Sequence, residues 1–113
     1  ALDSVRARRI ADNESLTREV NERIERYAES SVSLADGEKL GFVCECGDPE
    51  CSAEVQLTLT EYEAVRGHPA RFAILPGHDI PSVEMVIERH DGYDVVEKMG
   101  DTRPEVIEDD PRS

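Results

Sequence analysis

The chain contains no tryptophan, and its three tyrosines and two phenylalanines amount to only 4% of the sequence. A core with so few large rings has to be small. Basic residues are scarce as well: 13 Lys and Arg stand against 26 Asp and Glu, a formal net charge of −13. Such a surface repels a phosphate backbone, which excludes nucleic-acid binding through a basic face. It suits a basic protein partner instead. No apolar run approaches the length of a membrane span, and no secretory leader pattern is present, so no membrane association is expected. A disulfide framework is missing too. The three cysteines are odd in number and all lie between residues 44 and 51, which favours a reducing, cytoplasmic setting.

What is present is a single-domain length, 113 residues, with 38% hydrophobic content. That apolar supply is thin, and a domain so built gains from a staple such as a metal. The charge divides the chain into three parts. Residues 1–33 carry 7 acids and 6 bases and read as an N-terminal helical segment. Residues 34–100 carry 14 acids and 5 bases and read as a small α+β metal-binding core. Residues 101–113 carry 5 acids, 2 bases and two prolines and read as an acidic disordered tail.

Residues 13–30 have helical period, with Leu16, Val20, Ile24 and Tyr27 on one stripe. Glu14 with Arg18, Glu19 with Arg23 and Glu22 with Arg26 stand four apart in the favourable order. The stripe is expected to pack on a small antiparallel sheet, with pairing to a second copy as the alternative. Leu40, Phe42, Cys44 and Cys46 then alternate at strand period, which places both thiols on the face of Leu40 and Phe42. Asp48-Pro49 marks a turn, and Ala53, Val55, Leu57 and Leu59 alternate in a second strand, so the two strands form a hairpin with the cysteines at its tip. Thr60 and Glu63 have capping-box spacing before a short helix ended by Gly67 and Pro69. Residues 71–75 read as a strand and 76–81 as a loop. Residues 82–98 fit a hairpin about Asp91-Gly92 better than a helical face.

The fold class is therefore α+β, an N-terminal amphipathic helix on a small antiparallel sheet with a metal-stapled hairpin tip. The spacing Cys44-x-Cys46-x4-Cys51 supplies three soft ligands, and a divalent cation relieves the repulsion of clustered thiolates. A fourth ligand has to come from elsewhere. His78 is the first choice, because Pro76 and Gly77 fix a tight turn that aims one imidazole, and Asp79 could orient it. His90 beside the Asp-Gly turn and His68 at a helix end are the alternatives. Three cysteines and one histidine suit structural zinc, with a [2Fe–2S] cluster as the rival. The acidic neighbours Glu45, Asp48 and Glu50 are expected to raise the thiol pKa values and disfavour a reactive cysteine.

The pieces "FVCEC", "PEC", "LTLTEYEAVR", "PARF", "LPGH" and "VIERHDGYDVVEK", over about residues 40–98, resemble a group of short bacterial proteins with no established activity. The resemblance implies a defined module in which the cysteines are followed by "PGH", which favours His78, and a stand-alone or regulatory accessory role. CDGSH-type iron–sulfur proteins open with a similar Cys-x-Cys, but there the third cysteine comes later and the histidine soon after it. The His-x3-Cys-x2-Cys pattern of zinc anti-sigma factors is absent. No catalytic residue stands out from the acidic surface. The sequence is read as a zinc-stapled interaction or regulatory accessory module. The alternatives are a zinc-thiolate redox sensor, an iron–sulfur protein or, were the site open, a metal-dependent enzyme.

Overall fold

A computed structural model describes residues 4–30 and 37–112. It is α+β, a long N-terminal helix with two small antiparallel sheets. Helix α1 (Ser4–Glu29) is followed by the hairpin strands β1 (Leu40–Val43) and β2 (Glu54–Leu57). Their register pairs Leu40 with Leu57 and Phe42 with Val55. Helix α2 (Leu59–Arg66) leads to β3 (Arg71–Ile74), and β4 (Glu84–His90) and β5 (Tyr93–Lys98) form the hairpin expected about Asp91-Gly92. Strand β5 lies between β3 and β4 in the second sheet. It is buried on both faces, and its Tyr93, Val95 and Val96 make the centre of the core with Phe72 and Ile74, where Phe42 stacks on Tyr62 at 4.4 Å. No helix among the described residues is long and apolar enough to cross a membrane.

Three details differ from expectation. The capping box forms at Thr58 and Glu61, not at Thr60 and Glu63. Strand β2 ends at Leu57, so the chain turns into the helix two residues earlier than expected, and the Thr58 hydroxyl accepts from Glu61 N at 3.0 Å. The tail expected to be disordered is instead ordered over residues 101–112 and carries α3 (Arg103–Glu108). Ion pairs hold it down. Asp110 pairs with buried Arg66, and the Arg112 guanidinium reaches Glu22 and Glu25 at 2.8 Å and Glu63 at 2.8 Å. The boundary expected at residue 33 lies outside the described residues.

The third difference is the face that α1 presents. Leu16, Val20 and Tyr27 are exposed, at 58%, 38% and 80%, while Ile24 alone of the expected stripe packs partly on the core. Beside Ile10, Ala11 and Ala28, the buried face carries five polar residues: Glu14, Arg18, Asn21, Glu22 and Glu25. Each of these finds a distant partner, which is what makes their burial affordable. Lys98 Nζ sits 2.6 Å from Glu14 with both side chains fully buried. Arg18 lies over the Phe72 ring and donates to the carbonyls of Pro69 and Val106. Glu22 takes Arg66 and Arg112. Arg18 and Glu22 are thus drawn inward, away from the helix-surface pairs expected with Glu14 and Arg26.

Candidate metal centre

The cysteine segment runs from the end of β1 across to β3. Cys44 N donates to Ala53 O at 3.0 Å, and Glu45 N donates to Ala73 O at 2.9 Å, so the segment pairs with both sheets in turn. Cys44 and Cys46 are buried and Cys51 is half-buried. Gly47 has φ +80°, and a Cβ there would meet Ile10 Cγ2 at 2.6 Å, so the segment lies directly on α1 only because this residue is glycine. The Asp48-Pro49 turn then brings Cys51 back. Cys51 N donates to Asp48 O at 3.0 Å, and the Asp48 carboxylate accepts from Glu50 N at 2.9 Å.

A second turn follows β3. His78 N donates to Leu75 O at 3.1 Å, with Pro76 and Gly77 (φ +85°) between them, the residue pair a type II turn requires. This turn aims His78 Nδ1 at the thiols, 3.7 Å from Cys44 Sγ and 3.7 Å from Cys51 Sγ. The ligating atoms of Cys44, Cys46, Cys51 and His78 all lie within 4.8 Å of one another. Tetrahedral bonds of about 2.3 Å to sulfur and about 2.0–2.1 Å to nitrogen give edges of roughly 3.5–3.8 Å, so the donor set is close to the size of one ion's shell.

The other histidines lie elsewhere. His90 stacks on Tyr93 at 4.6 Å and contacts Glu88 at 2.7 Å, and His68 is exposed at the end of α2. Asp79 forms no hydrogen bond to the imidazole among the described residues.

The electrostatics suit cation binding. The Cys44 thiol, donating to Cys46, pulls the Cys46 thiol down to about 5 against the effect of its burial. The Asp48 backbone N–H, His78 and Cys51 add to this. The same bond, with burial, pushes Cys44 up. Leu75 N donates to Cys44 Sγ at 3.3 Å. The acidic neighbours therefore do not raise every thiol, because Glu45 points away from the sulfurs and Asp48 offers its N–H. A set of three sulfurs and one imidazole nitrogen, two of the sulfurs buried, fits a soft or borderline cation.

One residue escaped sequence reading. Glu45 falls on the outward side of the strand alternation, yet it is fully buried. Its Oε2 accepts from Asn21 Nδ2 and from the Tyr62 hydroxyl, both at 2.8 Å, and its Oε1 accepts from Ala73 N at 2.9 Å. Asn21 also pairs with the Val43 backbone through both of its amide atoms at 2.8 Å. So the residue between two thiols is tied to α1, α2 and β3 at once. Nothing in the local pattern could reveal this, because all three donors are distant in sequence.

Cys46 and His78 also line a cavity of about 650 Å³ with Arg6, Arg9 and Asp48, so the cluster is reachable from that side. A second acidic group, Glu25, Glu29 and Glu63, comes within ligand distance as well. There the Arg112 guanidinium already bonds Glu25 and Glu63, so a cation of the protein's own occupies the group.

Fold and site together define a small α+β protein with a three-cysteine, one-histidine cluster compatible with a metal ion. No family model matches the chain, and no curated protein or solved structure matches it either.

Proposed function

We propose that Cys44, Cys46, Cys51 and His78 hold one structural zinc ion, and that the protein is a regulatory or interaction accessory module rather than an enzyme. The observation that carries this is the convergence of four soft or borderline donor atoms within 4.8 Å, from two turns 27 residues apart at their closest ligands, Cys51 and His78. Four protein ligands fill a tetrahedron, which leaves no position for a catalytic water. The compact donor set also favours one ion over a two-iron cluster, which holds its ligands in two pairs separated by the cluster core. Zinc here would join the β1–β2 hairpin to the turn after β3, and so link the two sheets. The acidic surface then suits a basic protein partner, and a reducing, cytoplasmic setting suits the free thiols.

The test is unfolding before and after chelation. Zinc removal is expected to lower the melting temperature by more than 10 °C in the native protein and by almost nothing in Cys51→Ser. Equal stability with and without metal would sink the structural role. A second reading, a zinc-thiolate redox sensor, draws on the half-exposed Cys51 and the lowered Cys46. It requires peroxide at low dose to release zinc and form a disulfide; metal retained under that treatment would rule it out.

A further inference from the structure

Helix α1 buries five polar side chains beside Ile10, Ala11 and Ala28 and leaves Leu16, Val20 and Tyr27 exposed, which is unlike a helix packed only for its own domain. At 100° per residue, Leu16, Val20, Arg23 and Tyr27 fall within a strip about 60° wide on the outward side. Leu16 and Tyr27 are 58% and 80% exposed, and Val20 is 38% exposed. None of the three belongs to the hydrophobic core, and the helix is anchored by Lys98, Arg66 and Arg112 on its other face. Folding alone therefore does not explain an apolar ridge here.

The charges beside the ridge point to what covers it. Three acids of this helix, Glu14, Glu22 and Glu25, are buried on the inner side. On the outer side Glu19 and Arg23 are both exposed and stand one turn apart. Pair this helix antiparallel with itself, with the two-fold axis at the level of Asn21. Leu16 then lies opposite the partner's Tyr27, and the two Val20 side chains meet near the axis. Glu19 lies opposite the partner's Arg23, and the reverse pair forms by symmetry. The Arg23 stem covers the partner's Val20 while its guanidinium reaches Glu19. One register thus satisfies the apolar contacts and the ion pairs together, which a basic partner would not do for Arg23.

We infer that the outward ridge of α1, Leu16, Val20 and Tyr27 flanked by Glu19 and Arg23, is a self-association surface on which a second copy of this chain docks antiparallel. The overlap spans about 18 residues, near 27 Å of helix, which places it among small, exchanging interfaces. The inference stands apart from the metal reading, because neither the ridge nor its flanking charges touch the cysteine cluster.

Sedimentation equilibrium of the full chain, from about 5 to about 500 µM, tests it, because interfaces of this size exchange in that range. A concentration-dependent dimer is expected. Val20→Glu, at an exposed position, should weaken it at least tenfold while leaving the circular dichroism and bound metal unchanged. Tyr27→Ser serves as a second, milder variant should Val20→Glu disturb the helix. Glu19→Arg should weaken the dimer, and Glu19→Arg with Arg23→Glu should restore it. A monomer throughout this range overturns the inference whatever else binds the face, and so does a dimer indifferent to Val20→Glu and Tyr27→Ser in folded protein.

Discussion

Replacing Glu45 with glutamine keeps the shape of the side chain and removes its charge. In the native protein the carboxylate receives three donors, two at Oε2 and one at Oε1, and gives none. That is the pattern of an ionised group. Burial holds its carboxyl above the usual carboxylate range, although Asn21, the Ala73 N–H and Tyr62 pull it part of the way back. A glutamine has to turn its NH2 towards one of the two oxygen sites. Towards Ala73 it faces a backbone N–H, donor against donor. Towards Asn21 it faces an amide whose oxygen is already taken by Val43 N. The Tyr62 hydroxyl could rotate to accept, but in either orientation one buried N–H is stranded. A stranded donor costs about 1–3 kcal/mol, and the two remaining bonds lose their charge assistance, so the total is about 2–4 kcal/mol. In a domain of this size that is a fall of roughly 8–16 °C in melting temperature. Urea unfolding of metal-loaded protein gives the free energy directly. Tyr62→Phe supplies the control, with a loss of about 1 kcal/mol and less than additive behaviour in the double variant. A Glu45→Gln cost below about 0.5 kcal/mol would mean that the carboxyl is neutral or unneeded.

Other outcomes follow from the same structure. Burial, with a hydrogen bond to Glu14, pushes the Glu84 carboxyl up to about 9, and burial with a hydrogen bond to Glu63 pushes Glu25 up to about 8. The folded protein keeps protons that the unfolded chain releases near the ordinary carboxyl value. The stability these two groups contribute is therefore complete at low pH and is lost as pH rises to about 8–9, by at most about 1.4 kcal/mol per unit for each group. Glu84→Gln imitates the protonated form. Its stability curve between pH 5 and 9 should be flatter than that of the native protein, and parallel curves would contradict the assignment. Lys98→Met strands Glu14 in a fully buried position and should cost about 3–5 kcal/mol, read by urea unfolding at pH 7. Gly47→Ala drives a Cβ into Ile10 at φ +80° and should cost about 1–3 kcal/mol while lowering metal affinity; an unchanged protein would show that α1 gives way there.

Much of the topology was legible because it is written in local pattern. Alternation gave the hairpin of β1 and β2, Asp91-Gly92 gave the hairpin of β4 and β5, and the two turns at Asp48-Pro49 and Pro76-Gly77 carry their own chemistry. The convergence of Cys44, Cys46, Cys51 and His78 was anticipated on the same basis. What local pattern cannot express is compensation at a distance. The face of α1 was misread because apolar period normally marks the buried side, whereas here Lys98, Arg66 and Arg112 neutralise the polar side from 84, 44 and 90 residues away. The tail was misread for the same reason: its acidity and prolines suggest disorder until Asp110 meets Arg66 and Arg112 meets three glutamates. Two overlapping capping boxes in "TLTEYE" could be separated only by where β2 ends.

The proposed metal centre is a single ion held by three sulfurs and one imidazole. Elemental analysis of the protein purified without added metal or chelator tests it most directly. Colourless protein with about one zinc per chain is expected, reduced to near zero in Cys51→Ser and in His78→Ala while both variants remain folded by circular dichroism. Coloured protein carrying iron, or zinc retained in full without His78, would contradict it.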